Sequence, residues 1–597
     1  MSAKKLLDRK ALQSALGLHG LTGWLTSGVL YRLLELGRLN RRYKGISDLE
    51  GPDFSSAVLR VMGISFELPS EQLDNIPLEG GFFTVSNHHY GGADGLILDA
   101  IIGSRRSDFK ILTTFLLAQI SNLKETFIPV DNFSKGGHKS VTGIRKALDH
   151  IADGGPLGLF PAGEVATWQK GHVVEDKPWD TSVIKLIYNS GIPVVPVYFD
   201  GGNSRMFHLL GRIHPMLRTV RLVREMVNKK GKTIKVRIGR PVSVQELAGM
   251  DVKTLGKYLR NRCYALESQC VPPKESDSLT GVEAIADPVS PEQVRLQMES
   301  NDGKVLFEAG DYKVYLVDAV DAPDAMRELY RLREETFRSI GEGTGKSSDT
   351  DEYDSYFKHL ILWHVPNGEI AGAYRVGYGS SVFPEKGMSG FYSDSLVRFG
   401  PDAATVLPGC MELGRSFISF KYQREVLPLK LMLTGLAVAM TMDPNATACM
   451  GTVSISDSLP ELYKSLAVYF LERDFRLPDA ERFASPSHPF KSDFMKVNPE
   501  ELLQIPKGDI DAFDRLLFNM SDGRFRLPVL LRKYFSCGAR VACFNVDPLF
   551  SNCLDGLILL KACDFPPAML RSLVRPLSLE MQKRVFRHFY GTSNNEE

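Results

Sequence analysis

The stretch Phe82-Phe-Thr-Val-Ser-Asn-His-His-Tyr-Gly-Gly-Ala-Asp-Gly-Leu-Ile-Leu-Asp-Ala-Ile-Ile102 decides the fold of the first half of the chain. Its first five residues form a short apolar run typical of a buried strand, and residues 95–102 predict a helix. A strand followed by a helix is the repeating unit of α/β folds, which commonly bind ligands where a strand ends. We therefore expect a functional site in the polar turn between the two elements.

Strands and helices alternate through both halves of the chain. In the first half, further strands are predicted at 110–114, 127–130, 157–160 and 194–199, with helices at 140–151 and 182–189. In the second half, strands are predicted at 312–317, 359–363 and 370–376, with helices at 325–339 and 428–442. This alternation predicts an α/β layer structure in each half.

The length of 597 residues exceeds what one core usually supports, so two or more domains are expected. Residues 271–292 are rich in proline, serine and acidic side chains, which places a linker at 271–300. The predicted organisation is an N-terminal segment at 1–45, a first domain at 46–270, the linker, and a second domain at 301–597.

Composition narrows the function classes. A formal net charge of +1 argues against bulk binding of a polyanion, so no nucleic acid is expected as a partner. The eight cysteines include no Cys-x-x-Cys pair, which argues against a zinc site and a disulfide framework and fits a reducing compartment. No metal is expected.

The N-terminal segment carries leucines at helical spacing over residues 12–39, with cationic clusters before and after. This pattern is typical of a helix that lies on an anionic membrane surface. An ordinary helix packed on its own domain explains the pattern as well. No stretch of the chain reaches the roughly 20 apolar residues that a membrane-spanning helix needs.

Two residues of the polar turn suggest acid–base chemistry. His89 stands five positions before Asp94, and an imidazole oriented by a carboxylate can take a proton from an attacking hydroxyl group. Gly91 and Gly92 leave room for an acyl thioester to approach the backbone. His88 has Ala93 at the same spacing, which favours His89 as the base. The alternative is a histidine that only caps a local turn.

The segment Asn87–Asp94 resembles the His-x4-Asp motif of the glycerolipid acyltransferase family. Residues 127–131, 160–164 and 192–196 are similar to the second, third and fourth blocks of that family, in the same order. The resemblance implies that His89 is the catalytic base and Asp94 its partner. It also implies substrate-binding roles for residues of the third block, which are Phe160, Gly163 and Glu164.

The third block departs from the family pattern. Acyltransferases that act on phosphate acceptors carry Pro-Glu-Gly-Thr-Arg there, whereas this chain has Pro161-Ala-Gly-Glu-Val165. The arginine that would pair with a phosphate is missing, and Glu164 would repel a phosphate and attract an amine. We therefore expect an acceptor other than a phosphate monoester. A structural role for Glu164 as an acid at a helix N-terminus is the alternative.

The second half carries charged residues at spacings that suit one cleft. Arginines there would hold the carboxylate of a small acceptor, and acids would hold its ammonium group and help to deprotonate it. Glu412 is the candidate base. The alternative for each residue is a solvated helix face or a surface salt bridge. The candidate substrate-binding residues are Arg333, Phe337, Asp351, Asp354, Arg375 and Arg415.

Together these residues resemble the acyl-homoserine-lactone synthase type of acetyltransferase-like fold, and more closely its ornithine N-acyltransferase relatives, over about residues 310–565. The loop with which ordinary acetyl-CoA enzymes cradle a pyrophosphate is not evident. The resemblance therefore implies an acyl chain delivered by acyl carrier protein, whose 4′-phosphopantetheine belongs to that partner, and no cofactor of the chain's own. Since the carrier is acidic, a basic patch is expected, with Arg532, Lys533 and Arg540 as candidates.

The combination is similar to the bifunctional ornithine-lipid synthases of bacteria. It implies N-acylation of an amino acid by the second domain, O-acylation of the lyso-lipid by the first, and peripheral attachment to the cytoplasmic face of the inner membrane. Three alternatives remain open. They are a lysophospholipid acyltransferase whose second domain is not catalytic, a non-catalytic membrane-binding protein, and a soluble acetyl-CoA acetyltransferase.

Overall fold

The structure is a computed structural model that forms two compact units. It describes residues 24, 28, 43, 45–113, 120–130, 138–169, 172–213, 215–272, 281–504, 506–548, 550 and 552–591. Unit 1 comprises the described residues of 1–272, 495–505 and 516–525, and unit 2 comprises those of 273–494, 506–515 and 526–597. Most of the predicted N-terminal segment 1–45 lies outside the described residues. Among the helices described, none is long and apolar enough to cross a membrane.

Unit 1 is built on one mainly parallel sheet. Its strands are β1 Ile64–Glu67, β2 Phe83–Ser86, β3 Lys110–Thr113, β4 Phe127–Pro129, β5 Leu157–Leu159, β8 Val194–Phe199 and β9 Lys232–Ile238, in the order β1-β9-β8-β2-β5-β3-β4. Only β8 and β9 run antiparallel among the described pairs of this sheet. A small hairpin pairs β6 Thr167–Trp168 with β7 Val174–Glu175.

Helices cover this sheet. They are α1 Gly51–Met62, α2 Gly92–Arg105, α3 His138–Ala152, α4 Thr181–Ser190, α5 Arg205–Ile213, α6 Pro215–Val227, α7 Val244–Leu247 and α8 Val252–Ala265. All four residues of β2 are buried, as expected for a central parallel strand with covered faces. The core groups the apolar side of α2, such as Ile97, with Phe82, Val195 and Val197.

Unit 2 is built on an eight-stranded, mainly antiparallel sheet in the order β10-β11-β12-β13-β15-β16-β19-β18. The strands are β10 Val305–Ala309, β11 Tyr312–Asp318, β12 Lys358–His364, β13 Glu369–Tyr378, β15 Cys410–Ile418, β16 Ala448–Ile455, β18 Arg540–Asp547 and β19 Cys553–Lys561. A separate pair joins β14 Val397–Phe399 to β17 Ala484–Pro486.

The helices of the second half of the chain are shorter on average than those of the first, and one of them, α16 (Pro499–Leu502), lies in a segment of unit 1. They are α9 Pro291–Ser300, α10 Pro323–Ser339, α11 Gly379–Lys386, α12 Ala403–Val406, α13 Val426–Met440, α14 Glu461–Phe475, α15 Ala480–Phe483, α16 Pro499–Leu502, α17 Ile510–Met520, α18 Val529–Ser536, α19 Pro567–Val574 and α20 Leu579–Tyr590. The predicted core helix at 428–442 corresponds to α13, ten of whose residues are buried.

Strands β15 and β16 form a parallel pair over only three residue pairs, from Cys410 with Ala448 to Glu412 with Met450. After that point β15 continues beside β13, with an irregularity between Ala373 and Arg375, while β16 continues beside β19 to Ile455. The two strands therefore diverge in the middle of the sheet, just after Glu412.

The structure confirms the two-domain α/β fold class and corrects two details of the predicted organisation. The end of the predicted linker 271–300 is helix α9, whose Val294 and Met298 are buried in unit 2. Two apolar residues four apart were too few to predict a helix. Segments 495–505 and 516–525 belong to unit 1 although they lie within the predicted second domain. Lys496, for example, donates to Glu267 at 2.7 Å.

Candidate active sites

The polar turn of unit 1 is fixed between the end of β2 and the start of α2. Asn87 donates from Nδ2 to the carbonyl of Phe199 at 2.9 Å and accepts from the Phe199 N–H at 2.7 Å. Gly91 has a φ of 77°, and a Cβ there would lie 3.0 Å from Leu222 and 3.3 Å from Val165. Glycine is therefore required at this position both for its backbone conformation and for the space it leaves.

The histidine that pairs with Asp94 is His88. Its Nδ1 lies 3.0 Å from Oδ2 of Asp94, and the same oxygen accepts the backbone N–H groups of Tyr90 at 2.8 Å and Gly91 at 3.1 Å. Asp94 is fully buried, whereas the His88 side chain is 19% exposed. With Nδ1 held by a carboxylate, Nε2 is the ring nitrogen that can exchange a proton with a substrate.

This geometry corrects the predicted pairing of His89 with Asp94. His89 is fully buried, and its ring centroid lies 5.8 Å from that of Tyr198 and 6.2 Å from that of Tyr264. Burial, together with the charge of Lys496, lowers the pKa of His89 to about 3, so it stays neutral. The sequence spacing indicated the wrong histidine because the turn folds around Asp94. The backbone N–H groups of Tyr90 and Gly91 both point at its carboxylate, and the side chain that reaches it is that of His88.

The backbone of His88 is held on both sides by residues that sequence analysis missed. The His88 N–H donates to Oδ1 of Asp176 at 3.1 Å, and its carbonyl accepts the N–H of Ala166 at 2.7 Å. Asp176 also accepts from the Trp179 indole at 3.2 Å, and burial raises the pKa of Asp176 to about 6. No sequence pattern signals these contacts, because Asp176 lies 88 positions from His88.

The predicted third-block residues lie beside His88. The ring of Phe160, which follows β5, lies 4.4 Å from the His88 ring at an interplanar angle of 37°. Gly163 has a φ of 67°, and no atom lies within 4 Å of the position a Cβ would take, so there is open space beside it. Glu164 forms salt bridges with Lys177 and Arg218, each at 2.5 Å.

These salt bridges change the interpretation of Glu164. Burial alone would raise the pKa of Glu164, but hydrogen bonds from Lys177 and Arg218 lower it below its ordinary value. Glu164 lies in a turn outside the helices, so it is not the acid of a helix N-terminus. Its charge is met by two cations, so the site as a whole does not repel an anion as the sequence alone suggested.

In unit 2 the predicted charged residues do come together, and they bind one another. Arg333 contacts Asp354 at 3.0 and 2.8 Å and Asp349 at 2.9 Å. Arg375 contacts Asp351 and, at 3.2 Å, Asp354. Opposing the effect of burial, the two arginines hold the pKa of Asp354 well below its ordinary value.

Arg415 completes this ion network through Asp349 at 3.1 Å and Asp351 at 3.4 Å. Three arginines and three aspartates therefore cancel in formal charge. Arg333 and Arg375 are each 1% exposed, while Asp351 and Arg415 are 23% and 12% exposed. The latter pair is therefore the more accessible part of the network, whereas Arg333, Arg375 and Asp354 are bonded to one another in its buried part. Asp349 was missed.

Arg415 has a backbone φ of 47°, in the left-handed region, at the irregular part of β15. Such a conformation costs a non-glycine residue of the order of 1–3 kcal/mol. Its guanidinium packs over the rings of Tyr392 at 4.8 Å and Phe550 at 5.4 Å, and Nη1 donates to the Tyr392 hydroxyl at 3.2 Å. The predicted Phe337 joins this group, 6.2 Å from Phe550.

Glu412, the predicted base, is bonded to a neighbouring turn. Oε2 accepts the N–H of Tyr392 at 2.8 Å, and Oε1 accepts the N–H and hydroxyl of Ser393 at 2.8 and 2.6 Å. Burial raises the pKa of Glu412, against the effect of these hydrogen bonds. Glu412 therefore fixes the turn that carries Tyr392, whose ring packs against Arg415.

Glu342, Asp547 and Asp555 form a second group of carboxylates, in which Asp555 interacts with the charges of Asp547, Glu342 and Arg415. Asp555 pairs across the sheet with Ser454, on the part of β16 beyond its divergence from β15, and accepts the Ser454 hydroxyl at 2.6 Å. Burial raises the pKa of Asp555 to about 6, with the charge of Asp547 adding to the effect. Burial and the charge of Asp555 raise the pKa of Glu342 to about 7. Both groups can exchange protons near neutral pH.

The two folds and sites define an enzyme that transfers acyl groups. Residues 9–270 match the family described as acyltransferase, and residues 332–433 match the acetyltransferase (GNAT) domain. The chain is therefore an acyltransferase with an acyltransferase domain followed by a GNAT domain.

Two acyltransferases of known name are similar to parts of this chain. A glycine N(alpha)-acyltransferase of Bacteroides thetaiotaomicron is 30% identical over 278 residues, which cover 44% of this chain and 81% of that protein. A lyso-glycine lipid O-acyltransferase of the same organism is 28% identical over 224 residues, which cover 36% of this chain and 80% of that protein. The chain belongs to the acyltransferase family that includes this glycine N(alpha)-acyltransferase.

A crystal structure of a 1-acyl-sn-glycerophosphate acyltransferase from Thermotoga maritima covers 39% of this chain and 84% of its own. It is 15% identical to this chain, with a TM-score of 0.23.

Proposed function

We propose that the chain makes a doubly acylated amino-acid lipid in two steps. Unit 2 transfers a 3-hydroxyacyl group to the α-amine of an amino acid, and unit 1 acylates the 3-hydroxyl of that product. One observation carries the proposal. This single chain is similar both to a glycine N(alpha)-acyltransferase and to a lyso-glycine lipid O-acyltransferase, which are separate proteins in Bacteroides thetaiotaomicron.

In unit 1, His88 is the base for the O-acylation. Nε2 takes the proton of the 3-hydroxyl as its oxygen attacks the thioester carbon, and Asp94 stabilises the imidazolium through Nδ1. The carbon–sulfur bond then breaks, and His88 returns the proton to the leaving thiolate. The partial exposure of His88 supports this role, since the buried His89 cannot reach a substrate.

In unit 2, the ammonium group of the amino acid must lose a proton before its nitrogen can attack the thioester carbon. The carbon–sulfur bond then breaks, and a second proton from the nitrogen goes to the leaving thiolate. Asp555 and Glu342 suit the first deprotonation, because their pKa values of about 6 and about 7 let them accept a proton near neutral pH. Their position beside the divergence of β15 and β16 supports a site there, since strands that part expose backbone groups and space to a ligand. Arg415 and Asp351 form the accessible edge of the same region.

Ornithine is the amino acid we propose. Support comes from the two neighbouring carboxylates Glu342 and Asp555, since one can accept the proton of the α-amine while the other pairs with a second amine on the substrate. Glycine is the second candidate, and the names of the similar proteins favour it. Purified enzyme offered equimolar ornithine and glycine with one acyl donor will distinguish the two. A mass-spectrometric product ratio in favour of glycine would overturn the choice of ornithine.

The donor in this proposal is acyl carrier protein, and the chain is peripheral on the cytoplasmic face of a bacterial inner membrane. Lys533 and Arg540 are exposed and suit an acidic carrier. Arg532 is less suited, because it lies 3.3 Å from Asp514 and 3.6 Å from Asp511. Comparing acyl carrier protein with acyl-CoA as donors in the same assay tests this part.

Lipid analysis of a bacterium that lacks aminolipids, and that expresses this chain, tests the whole scheme. The wild-type chain should produce the doubly acylated amino acid. His88→Ala should accumulate the N-acylated intermediate, and Asp555→Asn should lower the yield of both products. A chain that changes only phospholipid composition would instead be a lysophospholipid acyltransferase with a non-catalytic second unit.

A further inference from the structure

Glu164, Lys177 and Arg218 form a compact ion cluster in unit 1. It borders the pair His88 and Asp94, which we call the dyad. Lys177 contacts Oε1 of Glu164 and Arg218 contacts Oε2, both at 2.5 Å, and the side chains are 32%, 54% and 15% exposed in the order Glu164, Lys177, Arg218. The motif of residues 160–164 contains no cation of its own. The fold supplies two, one from the loop after β7 and one from α6.

Side-chain packing places this cluster against the polar turn between β2 and α2. Gly91, whose N–H binds Asp94, approaches both Val165 and Leu222 closely enough that a Cβ would touch them. Val165 directly follows Glu164, and Leu222 lies one helical turn after Arg218 on α6. The cluster is therefore next to the dyad, and Gly163 leaves open space beside it.

The charges of the cluster match one class of ligand. Two cations and one anion give a net charge of +1, which a single carboxylate neutralises, whereas a phosphate dianion would leave an excess of negative charge. An N-acylated amino acid presents one free α-carboxylate, and an ornithine adduct adds one side-chain ammonium group. Arg218 is well suited to such a carboxylate, because a guanidinium can bind both of its oxygens at once.

We propose that Arg218 and Lys177 bind the α-carboxylate of the N-acylated acceptor and that Glu164 binds its side-chain ammonium group when one is present. This subsite rests on the proposed O-acylation by unit 1, since only then is an N-acylated amino acid the acceptor.

The test compares two acceptors on the purified full chain. One is N-(3-hydroxyacyl)ornithine, and the other is its C-terminal carboxamide, which lacks only the negative charge. For the wild-type chain, KM should be at least about tenfold higher for the carboxamide, as expected when a hydrogen bond to a charged group is lost. Arg218→Gln should raise KM for the carboxylate by a similar factor, remove the preference, and leave kcat little changed.

Two further variants keep the test independent of folding. Arg218→Lys keeps the charge and should recover part of the preference for the carboxylate. Arg224→Gln changes an exposed arginine of the same helix, outside the cluster, and should behave like the wild-type chain.

Each outcome points to one conclusion. If the wild-type chain O-acylates both acceptors with equal KM, or if Arg218→Gln keeps the preference, the carboxylate subsite is overturned while the proposed function stands. A lower KM for lysophosphatidate than for the ornithine adduct, abolished by Arg218→Gln, would assign the cluster to a phosphate and overturn the proposal. If the wild-type chain O-acylates no N-acylated amino acid, the proposed function itself fails.

Discussion

The dyad of unit 1 and the ion network of unit 2 differ in what their charged groups are bonded to. Asp94 is held by two backbone N–H groups and a single histidine, so one ring nitrogen of His88 remains for chemistry. In unit 2 each arginine of the network is met by aspartates, and both oxygens of Glu412 are occupied by the turn at 392–393. The first arrangement is built for proton transfer and the second for rigidity.

A motif of charged residues does not by itself locate the groups that can exchange protons. In unit 2 the charges of the motif neutralise one another, and the groups with near-neutral pKa are the neighbours Asp555 and Glu342. Buried ion pairs are costly to break, because removing one partner strands the other charge. The network is therefore expected to hold the β15 irregularity and the strained Arg415 in place.

The largest effect should separate the two neighbouring histidines of unit 1. His88→Ala removes the base and should lower the O-acylation rate by about 100- to 10,000-fold. His89→Leu keeps a buried apolar volume and should retain most of the activity, because His89 lies against Tyr198 and Tyr264, away from Asp94. Turnover of a purified N-acylated acceptor measures both. Equal losses in the two variants would contradict the pairing of His88 with Asp94.

The next effect tests the structural role of the network in unit 2. Arg333→Met strands Asp349 and Asp354 in the interior and should lower the stability of unit 2 by about 3–5 kcal/mol. In a urea titration, N-acylation should fail at a lower concentration than in the wild-type chain, while O-acylation by unit 1 fails at the same concentration.

A matched exposed pair provides the control for this variant. Arg327 pairs with Asp324 on the same helix, and its side chain is 66% exposed. Arg327→Met should therefore cost only about 0–1 kcal/mol. If Arg333→Met lowered the stability of unit 2 as little as Arg327→Met but abolished N-acylation in the absence of urea, Arg333 would contact the substrate. The network of unit 2 would then not be purely structural.

A smaller effect concerns pH. Asp555 and Glu342 accept a proton only when ionised, and burial raises their pKa values to about 6 and about 7. The rate of N-acylation should therefore rise with pH through this range and level off above it. Asp555→Asn should lower the rate and remove the rise near pH 6. Asp302→Asn, at a side chain 60% exposed on the same unit, should leave the profile unchanged.

Local sequence patterns were enough for most of the secondary structure. The apolar run ending at Ser86 and the helix after Gly91 were both predictable, because a buried strand and an adjacent helix each have a strong period of their own. Helix α9 was not, since it buries only Val294 and Met298. Nor was the membership of 495–505 in unit 1, which depends on contacts such as that between Lys496 and Glu267.

Within the two sites, too, the contacts that depend on tertiary folding could not be predicted from local sequence patterns. Sequence spacing placed the dyad within one residue, but the choice between His88 and His89 depends on how the turn folds around Asp94. Side-chain partners that are distant in sequence could not be predicted from any local pattern. Examples are Arg218, 54 positions from Glu164, and Asp555, 101 positions from Ser454.

The smallest effect separates positioning from proton transfer at β15. Glu412→Gln keeps the shape of the side chain but sets an amide nitrogen against an N–H donor of the turn at 392–393, so one hydrogen bond is lost. N-acylation should fall by less than about tenfold, because a single net hydrogen bond is worth about 1 kcal/mol. Ser393→Ala removes another bond to the same carboxylate and should have a similar effect. If Glu412→Gln instead reduced the rate as far as Asp555→Asn, with the Ser393→Ala variant unaffected, Glu412 would take part in the chemistry and the predicted base would be restored.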